Sequence, residues 1–323
     1  MGRLRTALYF AAAVLLSGLS PVGLAQKFPV KPMRMVSAFA PGGGTDILGR
    51  AIAVPVSESF GQPVVVDNRP GAGGTMGSDF VARAAPDGYT IIMVASTYTA
   101  TSAYDPPPYD PVNGIQPIIL IGTTGLVMTV HPSIPARSVK ELVDYARANP
   151  GRLNYASVGT GSVPHFAQEL FRLQTGIHIV HVPYKGGGPA VIAVVGGEVQ
   201  MTTISMVAIL PHIKAGRLRA LAITTPARSS AMPDLPTIGE TVPGFEVTHW
   251  YGIWGPKGMP KPIVARWNQE VAKVLRTEEM KVRSRAEGLE TAGGSPEEFA
   301  KIIRRDVEKW RKVVKEAKIK REG

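Results

Sequence analysis

Residues 36–50 read VSAFAPGGGTDILGR, the pattern of a strand delivered into a glycine turn that opens a helix. Ala40 and Pro41 end the strand, Gly42, Gly43 and Gly44 let the backbone pass close to whatever it faces, and Thr45 or Asp46 begins the helix. A helix start offers N–H groups without intrahelical partners at the positive end of the dipole, so a small anion is its natural occupant. Phosphate and carboxylate both qualify. No Lys-Ser or Lys-Thr follows the glycines, which removes a P-loop, and the G-x-G-x-x-G spacing of a dinucleotide fold is missing. The plainer reading is a tight turn between strand and helix.

The pattern recurs in the second half of the chain. A strand is expected over residues 153–158, Gly159, Thr160, Gly161 and Ser162 form a glycine turn, and Pro164 sits in the first turn of a helix closed by Gly176. Two such helix starts facing each other would grip an anionic ligand from both sides. His165 lies in that first turn, where it either contacts the ligand or caps the loop. Ser96 and Thr97 follow the apolar strand 89–95, at the strand end where open α/β sheets gather ligands; ordinary loop hydroxyls are the alternative. Two more glycine loops cover residues 68–77 and 183–188, the latter containing Tyr184.

Before the first strand, Arg3 and Arg5 precede an apolar run of 13 residues, and Gly23 and Ala25 supply the small residues of a cleavage site after Ala25. This is the form of a secretory signal peptide, and the run is short of the roughly 20 residues a membrane span needs. The chain has no cysteine, so disulfides, thiol nucleophiles and thiolate metal sites are out. Its formal charge of +11 falls to +9 without the two leader arginines. Many of the remaining basic residues lie between Lys281 and Arg321, on helices whose other face is apolar; that is a solvated face, not a nucleic-acid footprint. His178 and His181 stand three apart on an expected strand, pointing to opposite faces, so no metal site is read there. The helix following residue 46 should kink or end early at Pro55, and residues 118–130 read as extended chain with a domain crossing near 123–126. In the last helix Phe299, Ile303, Val307 and Trp310 fall three or four apart, a core face.

Six ordered motifs carry a resemblance: APGGGTD (40–46), VDNRPGAGG with Gly77 (66–77), APDGYT (85–90), YASVGTGSVPH (155–165), VPYKG (182–186) and LPHIKAGRLRALA (210–222). They resemble the Bug family of periplasmic solute-binding proteins, the receptors of tripartite tricarboxylate transporters, over the whole mature chain. The resemblance implies a type II periplasmic-binding-protein fold, two α/β domains joined by two crossing strands around a ligand cleft. Domain 1 would hold residues 26–124 plus 225–323 and domain 2 residues 125–224. It also implies a small carboxylate ligand held by two pincers. Carried over by position, one is Ala40 to Asp46 and the other Gly159 to Ser162 with His165 nearby. Tyr184 and Ser205 join them as cleft candidates. The expected partners are that carboxylate and the membrane subunits of the transporter, with no cofactor, no metal and a monomeric state.

Where relatives that bind amino acids often place an acidic or amide residue, this chain has Thr202-Thr203-Ile204-Ser205-Met206. That favours a mono- or dicarboxylate without an amino group, although Asp46 is an acid in the same region. Two other readings remain. A periplasmic enzyme acting on a carboxylate has little support, because no G-x-S-x-G or H-E-x-x-H motif is present and no histidine stands in a nucleophile–base context. A receptor that reports its ligand to a signalling partner would share the same closure and the same sequence.

Overall fold

The computed structural model describes residues 28–316, so the expected signal segment and its cleavage point lie outside the described residues. The chain runs β1 (Met33–Ser37), α1 (Gly44–Phe60), β2 (Val64–Asn68), α2 (Thr75–Ala82), β3 (Thr90–Ala95), α3 (Thr97–Tyr104) and the long strand β4 (Ile115–Val130). Next come α4 (Val139–Ala148), β5 (Leu153–Ser157), α5 (Val163–Thr175), β6 (Ile179–Pro183), α6 (Gly187–Val195), β7 (Met201–Ser205), α7 (Met206–Lys214) and β8 (Arg219–Ile223). The last third contributes β9 (Thr248–Pro256), α8 (Lys261–Arg276), α9 (Glu278–Ala286), β10 (Leu289–Gly293) and α10 (Pro296–Glu316).

The strands follow the order β2-β1-β3-β9-β4-β7-β5-β6, with β8 and β10 also paired to β4. In the first lobe β2, β1 and β3 are parallel and β9 is antiparallel to β3. The second lobe repeats the plan: β6, β5 and β7 are parallel and β4 is antiparallel to β7. Each lobe is an α/β sandwich, as the resemblance implies. β4 joins them, pairing with β9 up to Gly125 and with β7 from Leu126 onward.

Helices on both faces of each half-sheet account for the apolar strands. β3 is buried from Ile91 to Ala95, as a parallel strand covered on both sides must be. β1 sends Met33 and Met35 to the core that holds Leu48, Ile52 and Trp267, while Val36 joins Trp254 and Phe299 on the other face. The second lobe packs Leu142, Phe166 and Phe171 on one face and Val191, Ile204 and Ile209 on the other.

Several elements depart from the sequence expectation. α1 runs through Pro55 to Phe60, closed by Gly61 at φ 65°. Burying Leu48, Ile52, Val56 and Phe60, each worth about 1.5–3 kcal/mol, outweighs the roughly 3 kcal/mol cost of an internal proline. Ser96 is a one-residue turn and Thr97 to Tyr104 form α3, in place of the loop that was one of the two readings of these hydroxyls; β10 has no counterpart in the sequence reading. Ile238, Val242, Phe245 and Val247 are buried in the same cluster as Leu126, Leu142 and Phe171 of the second lobe.

α10 binds both lobes. Phe299, Ile303 and Val307 lie in the first lobe's core, whereas Trp310 reaches the second, its ring 5.3 Å from Phe166. Between them Asp306 accepts from Thr99 Oγ1 at 2.6 Å and from Trp250 Nε1 at 3.0 Å, tying α10 to α3 and β9. Asp306→Ala leaves both donors without that acceptor, and we expect a loss of about 1–3 kcal/mol, read as a lower urea midpoint at unchanged slope.

Candidate functional site

The first glycine loop is built to be rigid. Asp46, almost fully buried, accepts the Gly42 N–H at 3.0 Å and Arg50 Nε at 2.9 Å, closing the turn against the first coil of α1. Burial alone would raise the Asp46 pKa, but hydrogen bonds from Arg50, the Gly42 N–H and Asn68 outweigh it and hold the carboxyl below its usual 3.8. Thr45 Oγ1 shares a 2.9 Å hydrogen bond with Ser37 Oγ, fixing α1 to the end of β1.

Across the cleft this loop meets the loop 183–188. The Ala40 N–H donates to the Lys185 carbonyl at 2.9 Å, and a Cβ on Gly43 would lie 3.3 Å from the Gly187 nitrogen. A Cβ on Gly188 would collide with the Pro41 carbonyl oxygen. The helix start in direct backbone contact with that of α1 is α6; α5, which the sequence reading pairs with α1, begins near the same cleft. Gly159 and Thr160 face the other glycine loop instead: a Cβ on Gly159 would lie 3.2 Å from Gly73 Cα.

Behind the first contact lies an inner cavity of about 40 Å³. Five helices begin around it: Gly44 and Thr45 open α1, Thr97 opens α3, Pro164 lies in the first turn of α5, Gly187 opens α6, and Ser205 precedes α7. Phe39, Val158, Ile204, Ala208, His249 and Tyr251 contribute to the rest of the wall. Among the described residues no Lys, Arg, Asp or Glu lines it. Tyr251 OH donates to Ser205 Oγ at 2.7 Å, bridging the lobes, and a Cβ on Gly44 would collide with that hydroxyl. A larger outer cavity of about 300 Å³ adjoins it, sharing Phe39 and Val158 and lined further by Gly71 to Gly74, Gly159, Thr160, Tyr184 and Lys185.

Of the candidate residues, Gly43, Gly44, Thr45, Thr97 and Ser205 come together at the inner cavity, and Gly159, Thr160 and Tyr184 at the outer one. Ala40, Pro41 and Gly42 lie at the contact between loops, and Asp46 turns its oxygens to Gly42 and Arg50. Ser162 and His165 hold their own loop: Ser162 Oγ caps the His165 N–H, and His165 Nδ1 accepts the Gly161 N–H at 3.1 Å. Gly161 has φ +77° and packs on the Tyr104 ring. The His165 ring is buried and stacks on His181 at 4.0 Å, and it is not among the residues lining either cavity. Of its two expected roles, the structure shows the cap.

His249, Tyr251 and Gly187 were not singled out from the sequence. His249 is buried and its pKa is pushed down to about 3 by that burial, so the ring is neutral. Its Nδ1 lies 2.6 Å from Ser96 Oγ, a serine–histidine pair that spacing along the chain did not reveal. Ser96 does not line the cavity, and among the described residues no carboxylate is hydrogen-bonded to this imidazole, so the pair lacks the arrangement of a hydrolytic triad. The site can desolvate an anion and surround it with neutral donors.

Residues 48–319 match the family model described as "Tripartite tricarboxylate transporter family receptor". Protein BugT of Bordetella pertussis is 35% identical over 310 residues, covering 94% of this chain and 95% of BugT. Among solved structures, R. palustris Rpa4515 with adipate superposes with a TM-score of 0.87 at 37% identity, covering 90% of this chain and 99% of that one. MatC from Rhodopseudomonas palustris with bound malate gives a TM-score of 0.85 at 30% identity, with coverage of 89% and 100%.

Two outcomes are expected from the loop. Gly44→Ala must displace Tyr251 and break its bridge to Ser205, lowering stability by about 1–3 kcal/mol in chemical denaturation. Because the Asp46 pKa is depressed on folding, its contribution is present above its usual 3.8 and is lost as pH falls through the lower folded value. Asp46→Asn should therefore flatten the pH dependence of the melting temperature below about pH 4, measured by calorimetry.

Proposed function

This chain belongs to the tripartite tricarboxylate transporter receptor family, and from that premise we propose that it captures a small carboxylate between its two lobes and delivers it to the membrane subunits of such a transporter. It works as a monomer in the periplasm, exported by residues 1–25 and cut after Ala25. The observation that carries the ligand class is the convergence of five helix N-termini on a cavity lined, among the described residues, by no charged side chain. Each N-terminus presents roughly half a positive charge, so a buried carboxylate is stabilised there without a basic residue.

One carboxylate occupies the inner cavity and the rest of the molecule extends past Phe39 and Val158 toward the outer one. The pincers are the loop at Ala40 to Thr45 and the α6 start at Gly186 to Gly188; Gly159 and Thr160 close the outer cavity. The adipate and malate of the two structural relatives make a dicarboxylate the first choice. The lobes divide near residue 125, and the buried positions of Ile238 to Val247 favour a return crossing at residues 247–248 in place of 224–225. Ligand contacts made only in the closed form shift the lobes toward closure.

Native mass spectrometry of the mature protein should show a co-purifying carboxylate. If it comes free of ligand, adipate or malate at 100 times its dissociation constant should stabilise by about 2.7 kcal/mol in a thermal-shift assay. No shift with these or other carboxylates, amino-bearing ones included, would overturn the reading. In Gly188→Ala the new methyl keeps the α6 start off the Pro41 carbonyl, and we expect affinity to fall at least tenfold. Small-angle scattering should show ligand-induced compaction of the wild type that this variant lacks.

A further inference from the structure

We propose that His249 is the residue that reads the buried end of the ligand, donating its Nε2–H to an oxygen of the carboxylate in the inner cavity. This rests on the function proposed above and assigns the determinant of its specificity.

The argument starts from Ser96. Its side chain is 1% exposed, and the one hydrogen-bond partner of its hydroxyl among the described residues is His249 Nδ1 at 2.6 Å. Either tautomer leaves one hydrogen without an acceptor among the described residues, the Ser96 O–H or the His249 Nε2–H; Ser96 is the more deeply buried of the two and His249 lines the inner cavity, so Ser96 donates and Nδ1 accepts. In a neutral imidazole the proton must then sit on Nε2. The ring is neutral because its burial disfavours the charged form, down to about pH 3.

Nε2 has no hydrogen-bond partner among the described residues, yet it is not one of the nitrogens sealed away from all open space. His249 is 4% exposed, and the open space it borders is the inner cavity. The geometry therefore places this donor at the cavity wall, with no acceptor for its hydrogen among the described residues. Two hydroxyls around it are in the same position. Ser205 Oγ accepts from Tyr251, and Thr97 Oγ1 accepts the Val163 N–H at 3.4 Å; neither hydrogen has an acceptor among the described residues. The side chains around the cavity therefore offer donors, from β9, from the start of α3 and from the end of β7.

Such a wall selects by valence. A carboxylate or keto oxygen accepts from every side, whereas an ammonium or amide nitrogen would set its hydrogens against the imidazole N–H and leave that donor without an acceptor. This gives a physical basis for a ligand whose buried end carries no amino group, and it places the choice on one imidazole whose tautomer Ser96 fixes. Ser96 is in this sense a positioning residue.

The test measures adipate and malate binding by calorimetry in the wild type, His249→Phe and His249→Gln, with nitrogen-15 NMR of the histidine rings. Affinity for at least one acid should fall about 10- to 100-fold in His249→Phe, and His249→Gln, which restores a neutral N–H donor, should recover part of the loss. In the wild type without ligand the NMR should place the proton of His249 on Nε2, and added acid should shift that N–H. Ser96→Ala should mix the two tautomers. A His249→Phe variant that binds both acids as the wild type does, or a resting proton on Nδ1, would overturn this inference alone; the NMR result stands even where a variant fails to fold. A wild type that binds no carboxylate would instead overturn the proposed function and this inference with it.

Discussion

Across the cleft, backbone meets backbone. The approach of Gly43 to Gly187 and of Pro41 to Gly188 brings two peptide chains into contact with no side chain between them, and the spacing leaves no room for a Cβ on Gly188. Everything else at the site depends on that approach. It brings the α1 and α6 starts together, lets the Ala40 N–H reach the Lys185 carbonyl, and seats the Tyr251 hydroxyl where a residue larger than glycine at position 44 would stand. The glycines are therefore a dimensional requirement of the closed cleft.

Charge is handled by the same economy of side chains. A carboxylate leaving water would ordinarily be met by Arg or Lys, but the described lining of the inner cavity is neutral, and under the proposed function the compensation would come from helix ends and hydroxyls. Donors of this kind are fixed by the fold and need no reorganisation when the ligand arrives. The one acidic group in the loop, Asp46, is spent on Gly42 and Arg50, bracing the turn.

Much of this was legible in the sequence, and the part that was not has identifiable causes. Glycine runs after apolar strands marked the first loop, the Gly159 turn and the loop at Pro183 to Gly188, because strand, turn and helix start are each local signals. Which loop faces which is decided by strand order. β6 lies at the edge of its half-sheet, and only the assembled sheet carries the α6 start over to α1. α3 was hidden because Thr-Tyr-Thr-Ala-Thr-Ser is a poor helix former; burial and the bond from Thr99 to Asp306 override that preference. His249 and Tyr251 lay in an aromatic strand with period two, so they share one face, but nothing local says that this face borders a cavity and the Trp250 face a core. The serine–histidine pair spans 153 residues, beyond any motif.

The position of β9 between β3 and β4 has a further consequence. Strands 1 to 3 of the first lobe are made from the beginning of the chain, but the strand that joins them to β4 lies at residues 248–256. Until those residues are available the early strands have an open edge and a half-built core, so the first lobe cannot complete itself as the chain emerges. Long-range closure of this kind is slow. For a chain exported as proposed above, this order delays completion of the first lobe until the last third of the chain is available, because that third holds the strand that locks the first.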